Sequence, residues 1–339
     1  MKANMNLIWI LGMGSVFLAS CSKSSTTDNG ASDGNWVSRS DFEGVARSEA
    51  VAFTAGTKAF IATGFDGEKR LDDLWQYDAD NNFWQQKAQF PGTARSSAVA
   101  FSVGDQGYVG TGYDGVNKLQ DFWQYDPASN TWKQKADFGG SARYDAVAFS
   151  ISGKGYVSTG FDGNYLKDIW EYDTAGDAWT QRVSLGGAKR SAAVAFVYKD
   201  KAYICTGINN GTAVNDFWVF DPTQPEGQAW TELRKIANIS TDSYDDQYTI
   251  VRNNAVAFVM NDKAFVTTGE NGSLYNDTWV YDFTTDLWAK KTPYEGAART
   301  GAVSFNINNR GFVLTGRSST YQFDDIREFF PDQPYNAND

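Results

Sequence analysis

The sequence of 339 residues contains no histidine. That absence excludes histidine-ligated zinc sites and Ser-His-Asp triads. Any acid–base chemistry falls to carboxylates and tyrosines. Cysteine is scarce as well, with Cys21 and Cys205 only, so no disulfide framework exists. Positive charge is in deficit: 30 Lys and Arg stand against 41 Asp and Glu, for a net charge of −11. A chain this acidic argues against nucleic acid and against direct contact with an anionic bilayer surface. No stretch is periodic enough for a helix of three turns. The apolar run from Leu7 to Leu18 is too short for an ordinary membrane span. No cofactor and no metal are expected; the cluster Asp242, Asp245 and Asp246 lacks the spacing of a calcium loop.

What the chain does have is repetition. Trp36, Trp84, Trp132, Trp179, Trp230 and Trp288 follow one another at spacings of 48, 48, 47, 51 and 58. A period near 50 marks a propeller or solenoid array. Each copy carries the same internal marks. An arginine stands four residues before a valine: Arg47, Arg95, Arg143, Arg190, Arg252 and Arg299. A Thr-Gly pair follows, from Thr63-Gly64 to Thr315-Gly316. Then comes Asp-x-Trp, as in Asp73/Trp75 and Asp121/Trp123; the sixth copy departs, with Asp325 and Arg327. Short aromatic and β-branched runs broken by Gly, Asp and Asn read as four strands per unit. In the second unit they are Ala98–Phe101, Gly107–Thr111, Phe122–Asp126 and a strand opening at Trp132. Six units of four strands, radially repeated, make an all-β six-bladed propeller.

These marks resemble the kelch family of propellers, and most closely the galactose-oxidase-like central domain. The resemblance covers residues 36–330. It departs where the second strand ends in Thr-Gly rather than Gly-Gly. The sixth unit ends after its third strand, Asp325–Phe330, and Trp36–Phe42 reads as a fourth strand without a blade. The N-terminal strand around Trp36 is therefore expected to close the last blade and remove its open edge.

The first twenty residues read as a secretory signal, with Lys2 before a short apolar run. Leu18-Ala19-Ser20-Cys21 resembles the bacterial lipobox. That resemblance implies cleavage before Cys21 and acylation of Cys21, palmitate included. A plain signal peptide with an incidental cysteine is the alternative. Ser22 in place of Asp implies an outer-membrane lipoprotein of the cell envelope, with the leaflet it faces left open. Residues 21–35 read as a flexible polar tether, 36–330 as the propeller and 331–339 as a polar tail. Cys205 is expected to be a buried, inert thiol.

For function, loops on one face are the candidate surface. The six arginines enter the inner strands at equivalent positions. They either pair with the aspartates of their own or adjacent units or form a cationic rim suited to a carboxylate-bearing sugar. Asp66, Asp114 and Asp162 lie in Asp-Gly turns on that face. The fifth unit carries an extra loop, and Tyr244, Asp245, Asp246 and Tyr248 are expected to overhang the arginine face. The copper oxidases that share this propeller need histidine ligands, which this chain lacks. Some six-bladed kelch proteins outside the cytoplasm are sialic-acid mutarotases, for which Glu49 and Glu270 are the nearest base candidates here. The expectation is a non-catalytic, monomeric binding or scaffold protein of the envelope that presents one face to a glycan or another envelope protein. Membrane attachment would come through the lipid on Cys21. A sialic-acid mutarotase-like carbohydrate enzyme and a purely structural envelope protein are the alternatives.

Overall fold

The computed structural model describes Met1 and residues 33–339. Residues 2–20 of the signal segment, Cys21 and most of the expected tether lie outside the described residues. Six four-stranded antiparallel sheets form the propeller. Blade 1 consists of Val51–Ala55, Lys58–Ala62, Leu74–Asp78 and Phe83–Gln86. Val51, Phe53 and Ala55 of its first strand are buried between blades while Ala52 and Thr54 are half-buried, the two-residue alternation of a strand. The first strands of all six blades surround a central channel. Ala52, Ala100, Ala148, Ala195, Ala257 and Ser304 line a cavity of about 220 Å³ there.

One aromatic pair crosses each seam between blades. Phe60 meets Tyr125 at 5.4 Å, Tyr108 meets Tyr172 at 5.7 Å and Tyr156 meets Phe220 at 5.7 Å. Tyr203 meets Tyr281 at 6.1 Å, Phe265 meets Phe329 at 5.2 Å and Tyr77 meets Phe312 at 5.7 Å. Six equivalent contacts, each worth about 1 kcal/mol beyond the area it buries, tie the blades into a closed ring. The repeat tryptophans seal the same seams from outside. Trp84 donates its indole N–H to the Ser40 carbonyl at 3.2 Å, and Trp132 to Ala88 at 2.9 Å.

The last blade closes as the repeat requires. Asn35–Ser38 pairs with Ile326–Phe330, with Trp36 opposite Phe329. Asp33, Gly34 and Asn35, read above as the end of the tether, are held against the blades. Asn35 is fully buried, and the carbonyls of Asp33 and Gly34 accept hydrogen bonds from Thr292 at 2.8 and 2.6 Å. Among the described residues no helix is long and apolar enough to cross a membrane.

Candidate functional site

The repeated marks turn out to be one hydrogen-bonded unit. In blade 2, Arg95 Nη1 and Nη2 each bond a different oxygen of Asp121 at 2.7 Å. Arg95 Nη1 also reaches the Thr111 carbonyl and Nε the Thr93 carbonyl. The second Asp121 oxygen accepts the Trp123 indole N–H at 2.7 Å. Its guanidinium lies over the Phe90 ring. The same ion pair recurs as Arg47–Asp73, Arg143–Asp168, Arg190–Asp216, Arg252–Asp277 and Arg299–Asp325. Burial by itself would raise the carboxyls of Asp73 and Asp121, yet their arginines outweigh it and hold them below the usual carboxylate range.

This corrects the cationic rim. Arg47, Arg95, Arg143, Arg190, Arg252 and Arg299 are each at most 1% exposed and stand under the face, not on it. A buried guanidinium needs a carboxylate and carbonyl acceptors to offset its lost hydration, and each blade supplies them. The Thr-Gly pair belongs to the same unit. Thr63, Thr111, Thr159, Thr206, Thr268 and Thr315 are all left-handed, with φ between 57° and 63°. That is a conformation β-branched residues seldom adopt, and it turns the threonine carbonyl onto the arginine.

Two other expected sets also serve the fold. Asp66 accepts the N–H groups of Glu68 and Lys69, and Asp114 those of Val116 and Asn117. Asp162 takes Asn164 N–H and the Ser141 hydroxyl. All three are turn formers. The extra loop does not overhang the mouth. Asp245 is buried and accepts the N–H groups of Ile239 and Ser240. Tyr248 is buried against Trp279 at 5.8 Å, and its hydroxyl accepts Trp288 N–H at 2.7 Å. Tyr244 is half-buried under Arg234, and Asp246 is exposed. The apolar surface of two tyrosines and the lone pairs of Asp245 are satisfied by folding the loop onto the outer side of blade 5.

What the face does hold is a ring at the channel mouth. Two residues after each arginine stand Glu49, Ser97, Asp145, Ala192, Asn254 and Gly301, all left-handed. Each donates its N–H to the carbonyl of the preceding one, Glu49 to Gly301 at 2.8 Å and Asp145 to Ser97 at 3.1 Å included, and the circle is complete. Around it, the residue after each arginine bridges the residue after each Thr-Gly: Ser48 with Phe65, Ser96 with Tyr113, Tyr144 with Phe161, Ser191 with Ile208, Asn253 with Glu270, Thr300 with Arg317. The backbone is six-fold and the side chains are not.

Blades 1 to 3 concentrate the chemistry. The Ser97 hydroxyl donates to Glu49 Oε2 at 3.4 Å, and the Ser97 carbonyl accepts the Asp145 N–H. Burial, reinforced by the charge of Glu49 and opposed by Ser97, pushes the Asp145 carboxyl up to about 6. Burial, then the charge of Asp145, raises the Tyr144 hydroxyl beside it. Tyr113, Tyr144, Phe161 and Tyr165 form an aromatic arc with centroid steps of 5.3, 5.6 and 5.1 Å. At one end of the arc the Arg70 guanidinium lies against Phe65 at 5.2 Å and Tyr113 at 4.8 Å, with Nε buried and unpartnered. Across the mouth, Arg317 Nε is 4.0 Å from Glu49 Oε1. Glu270, the other base candidate, accepts the Thr300 hydroxyl at 3.2 Å.

Sequence reasoning reached Glu49 and Glu270 but passed over Arg70, Ser97, Tyr113, Tyr144, Asp145 and Arg317. The signal was present: in aligned repeats these columns change from blade to blade while their neighbours do not. No cluster among the described residues is built to hold a metal ion.

No curated protein matches the chain in sequence. Among solved structures, one titled "Structure of YjhT" is similar with a TM-score of 0.70 at 18% identity, covering 85% of this chain and 95% of that one. That agreement over nearly whole chains is one of fold. The expectation of a non-catalytic scaffold is corrected by the mouth itself, where Glu49 and Asp145, two groups capable of acid–base chemistry, stand on one ring. The family model of the KLHDC2/KLHL20/DRC7 Kelch-repeats domain matches residues 141–316, more than half of the chain, and the protein belongs to that kelch-repeat family.

Proposed function

We propose that this protein is a mutarotase-type enzyme that exchanges the anomers of an acidic sugar at the channel mouth. The observation that carries the reading is geometric: Glu49, Ser97 and Asp145 are consecutive members of the hydrogen-bonded ring at the mouth, with the Ser97 hydroxyl on Glu49 Oε2, and the surroundings push the Asp145 carboxyl up to about 6. A group that is part protonated near neutral pH serves as a general acid, and its neighbour as a base. Asp145 gives its proton to the ring oxygen while Glu49 takes the proton of the anomeric hydroxyl. The bond between anomeric carbon and ring oxygen breaks, leaving an open-chain carbonyl and a new hydroxyl. Rotation about the adjacent carbon–carbon bond and the reverse transfers close the ring on the other face. Ser97 stands between them on the ring, its hydroxyl on the Glu49 carboxylate and its carbonyl on the Asp145 N–H, and sets their orientation. Arg70 and Arg317 are the cations placed to grip a sugar carboxylate, and the tyrosine arc offers ring faces to the sugar.

The likeness to the structure titled "Structure of YjhT" supports the single-propeller fold that carries this mouth. We place it in the bacterial envelope, anchored by lipid on Cys21. The support is the segment Leu18-Ala19-Ser20-Cys21, and the test is palmitate labelling of the wild type against Cys21→Ser.

The enzymatic test is anomer exchange followed by proton NMR, starting from single anomers of sialic, glucuronic and galacturonic acids and of neutral hexoses. Acceleration of an acidic sugar, with a loss of about 100-fold in Asp145→Asn and in Glu49→Gln, supports the reading. Exchange at the buffer rate for every sugar sinks it.

A further inference from the structure

The sixth blade departs from the repeat at one position, and the departure opens a second cavity. In blades 1, 2, 3 and 5 the Asp-x-Trp indole N–H bonds the arginine-paired aspartate, as Trp75 does to Asp73 and Trp279 to Asp277, each at 2.8 Å. Blade 6 has Arg327 where the indole would be. Tyr294 occupies the place that Phe42, Phe90 and Phe138 hold in other blades, and its hydroxyl takes over the bond to Asp325 at 3.3 Å. The structural unit is thus kept without a tryptophan. Arg327 is released from that duty. Its side chain makes no ion pair and no hydrogen bond with the described residues, and its Nε is buried without a partner.

Arg327 stands at a groove of about 810 Å³ between blades 5 and 6, whose wall includes Tyr335, Ala337 and Asp339 of the C-terminal tail. Two carboxylates of this groove have partners within the protein. Glu295 accepts Trp36 N–H at 3.1 Å, and Asp339 is held by Asn35 and Asn336. Asp33 stands exposed at the rim. The unused hydrogen-bonding capacity is on the donor side, at Arg327, with Lys290 lying over Trp279 nearby. Tyr335 lines the groove and is 58% exposed. One free guanidinium, polar walls and an open aromatic ring match a polyhydroxylated ligand with one acidic group.

We propose that this groove is a second site, separate from the channel mouth, that binds an acidic oligosaccharide with its carboxylate on Arg327. It holds the glycan without reacting with it.

The test is calorimetric titration of the full-length protein with trigalacturonate, with neutral galactotriose and with an acidic tripeptide. Three variants accompany it: Arg327→Met, Arg327→Trp and Asp145→Asn. The expected result is binding of trigalacturonate but not galactotriose. Arg327→Met weakens it at least tenfold, and Arg327→Trp, which restores the indole of the other blades, abolishes it. Asp145→Asn leaves that Arg327-dependent binding intact, and both Arg327 variants keep the anomer-exchange rate and the melting temperature of the wild type. Arg327→Met keeps the test valid where the tryptophan variant misfolds. Absence of trigalacturonate binding, or binding unmoved by Arg327→Met, overturns the proposal. Equal affinity for the acidic tripeptide overturns the saccharide assignment and gives the groove to a protein partner. Failure of the mouth as an enzyme would show in the exchange rate alone.

Discussion

Asp145 donates its backbone N–H to the carbonyl of Ser97 at 3.1 Å. Through that bond and its five counterparts, the carboxyl pair at the mouth is fixed by main chain. Side-chain packing need not place it. The ring closes because every member is left-handed, which aims each N–H along the circumference. Chemistry can therefore vary at this ring without disturbing the six-fold frame.

The pH dependence of stability should report Asp145. Its carboxyl stands at about 6 in the folded protein against 3.8 in the unfolded chain. Between those values the folded state holds a proton that the unfolded state has released. The associated stability is fully present below pH 4 and is lost as pH rises through 6. Asp145→Asn is expected to leave stability unchanged at pH 4 and raise it by about 1–3 kcal/mol at pH 8. Urea unfolding at the two pH values checks this; an equal effect at both would refute it.

The buried arginines should behave as structural parts. Asp121→Ala strands the Arg95 guanidinium, which is 0% exposed, and is expected to cost about 3–5 kcal/mol. Arg95→Ala should be comparably destabilising. The double variant should cost less than the sum, because both changes break one unit. Additive losses in thermal unfolding would mean that the pair is not coupled.

Gly160 tests the turn after the second strand. Its φ is +98°, and an added Cβ would lie 2.9 Å from both the Ala146 Cβ and the Tyr144 carbonyl. Gly160→Ala should cost about 2 kcal/mol or more. Thr159→Gly, at φ 63°, should be tolerated within about 1 kcal/mol, since glycine relieves the left-handed strain while loosening the unfolded chain. The melting temperatures of the two variants should therefore separate clearly.

Closure of the last blade predicts the effect of truncation. Removing residues up to 46 deletes Trp36 and Phe42, both buried, and exposes the edge of Ile326–Phe330. Such an edge recruits other chains. Loss of cooperative unfolding or aggregation is expected by light scattering. A truncated protein that melts like the intact one would contradict the closure.

Cys205 is fully buried, and burial pushes its thiol up to about 12. It should resist iodoacetamide in the native protein at pH 8 and react once unfolded. Mass spectrometry with and without urea distinguishes the two states.

The sequence by itself determined the propeller. Six arginines, six Thr-Gly pairs and six aspartates at one period leave no other way to satisfy the strands and the closing edge, so blade number and the role of Trp36 were both legible. It did not determine which polar groups reach solvent. Arg95 and Arg70 are alike as letters, yet one is sealed by Asp121 and two carbonyls while the other lies against two aromatic faces. Nor did the sequence show that Glu49, Ser97 and Asp145, spaced 48 apart, meet at one mouth. Period alone places them on equivalent loops. Only the curvature of the closed ring brings those loops within hydrogen-bonding distance and gives the Asp145 carboxyl the partial burial that pushes it up. The same holds at Arg327, where a broken repeat was visible in the letters. That the break leaves a cavity and an unpaired guanidinium followed from Tyr294 reaching Asp325, a contact between residues 31 apart that only the folded blades create.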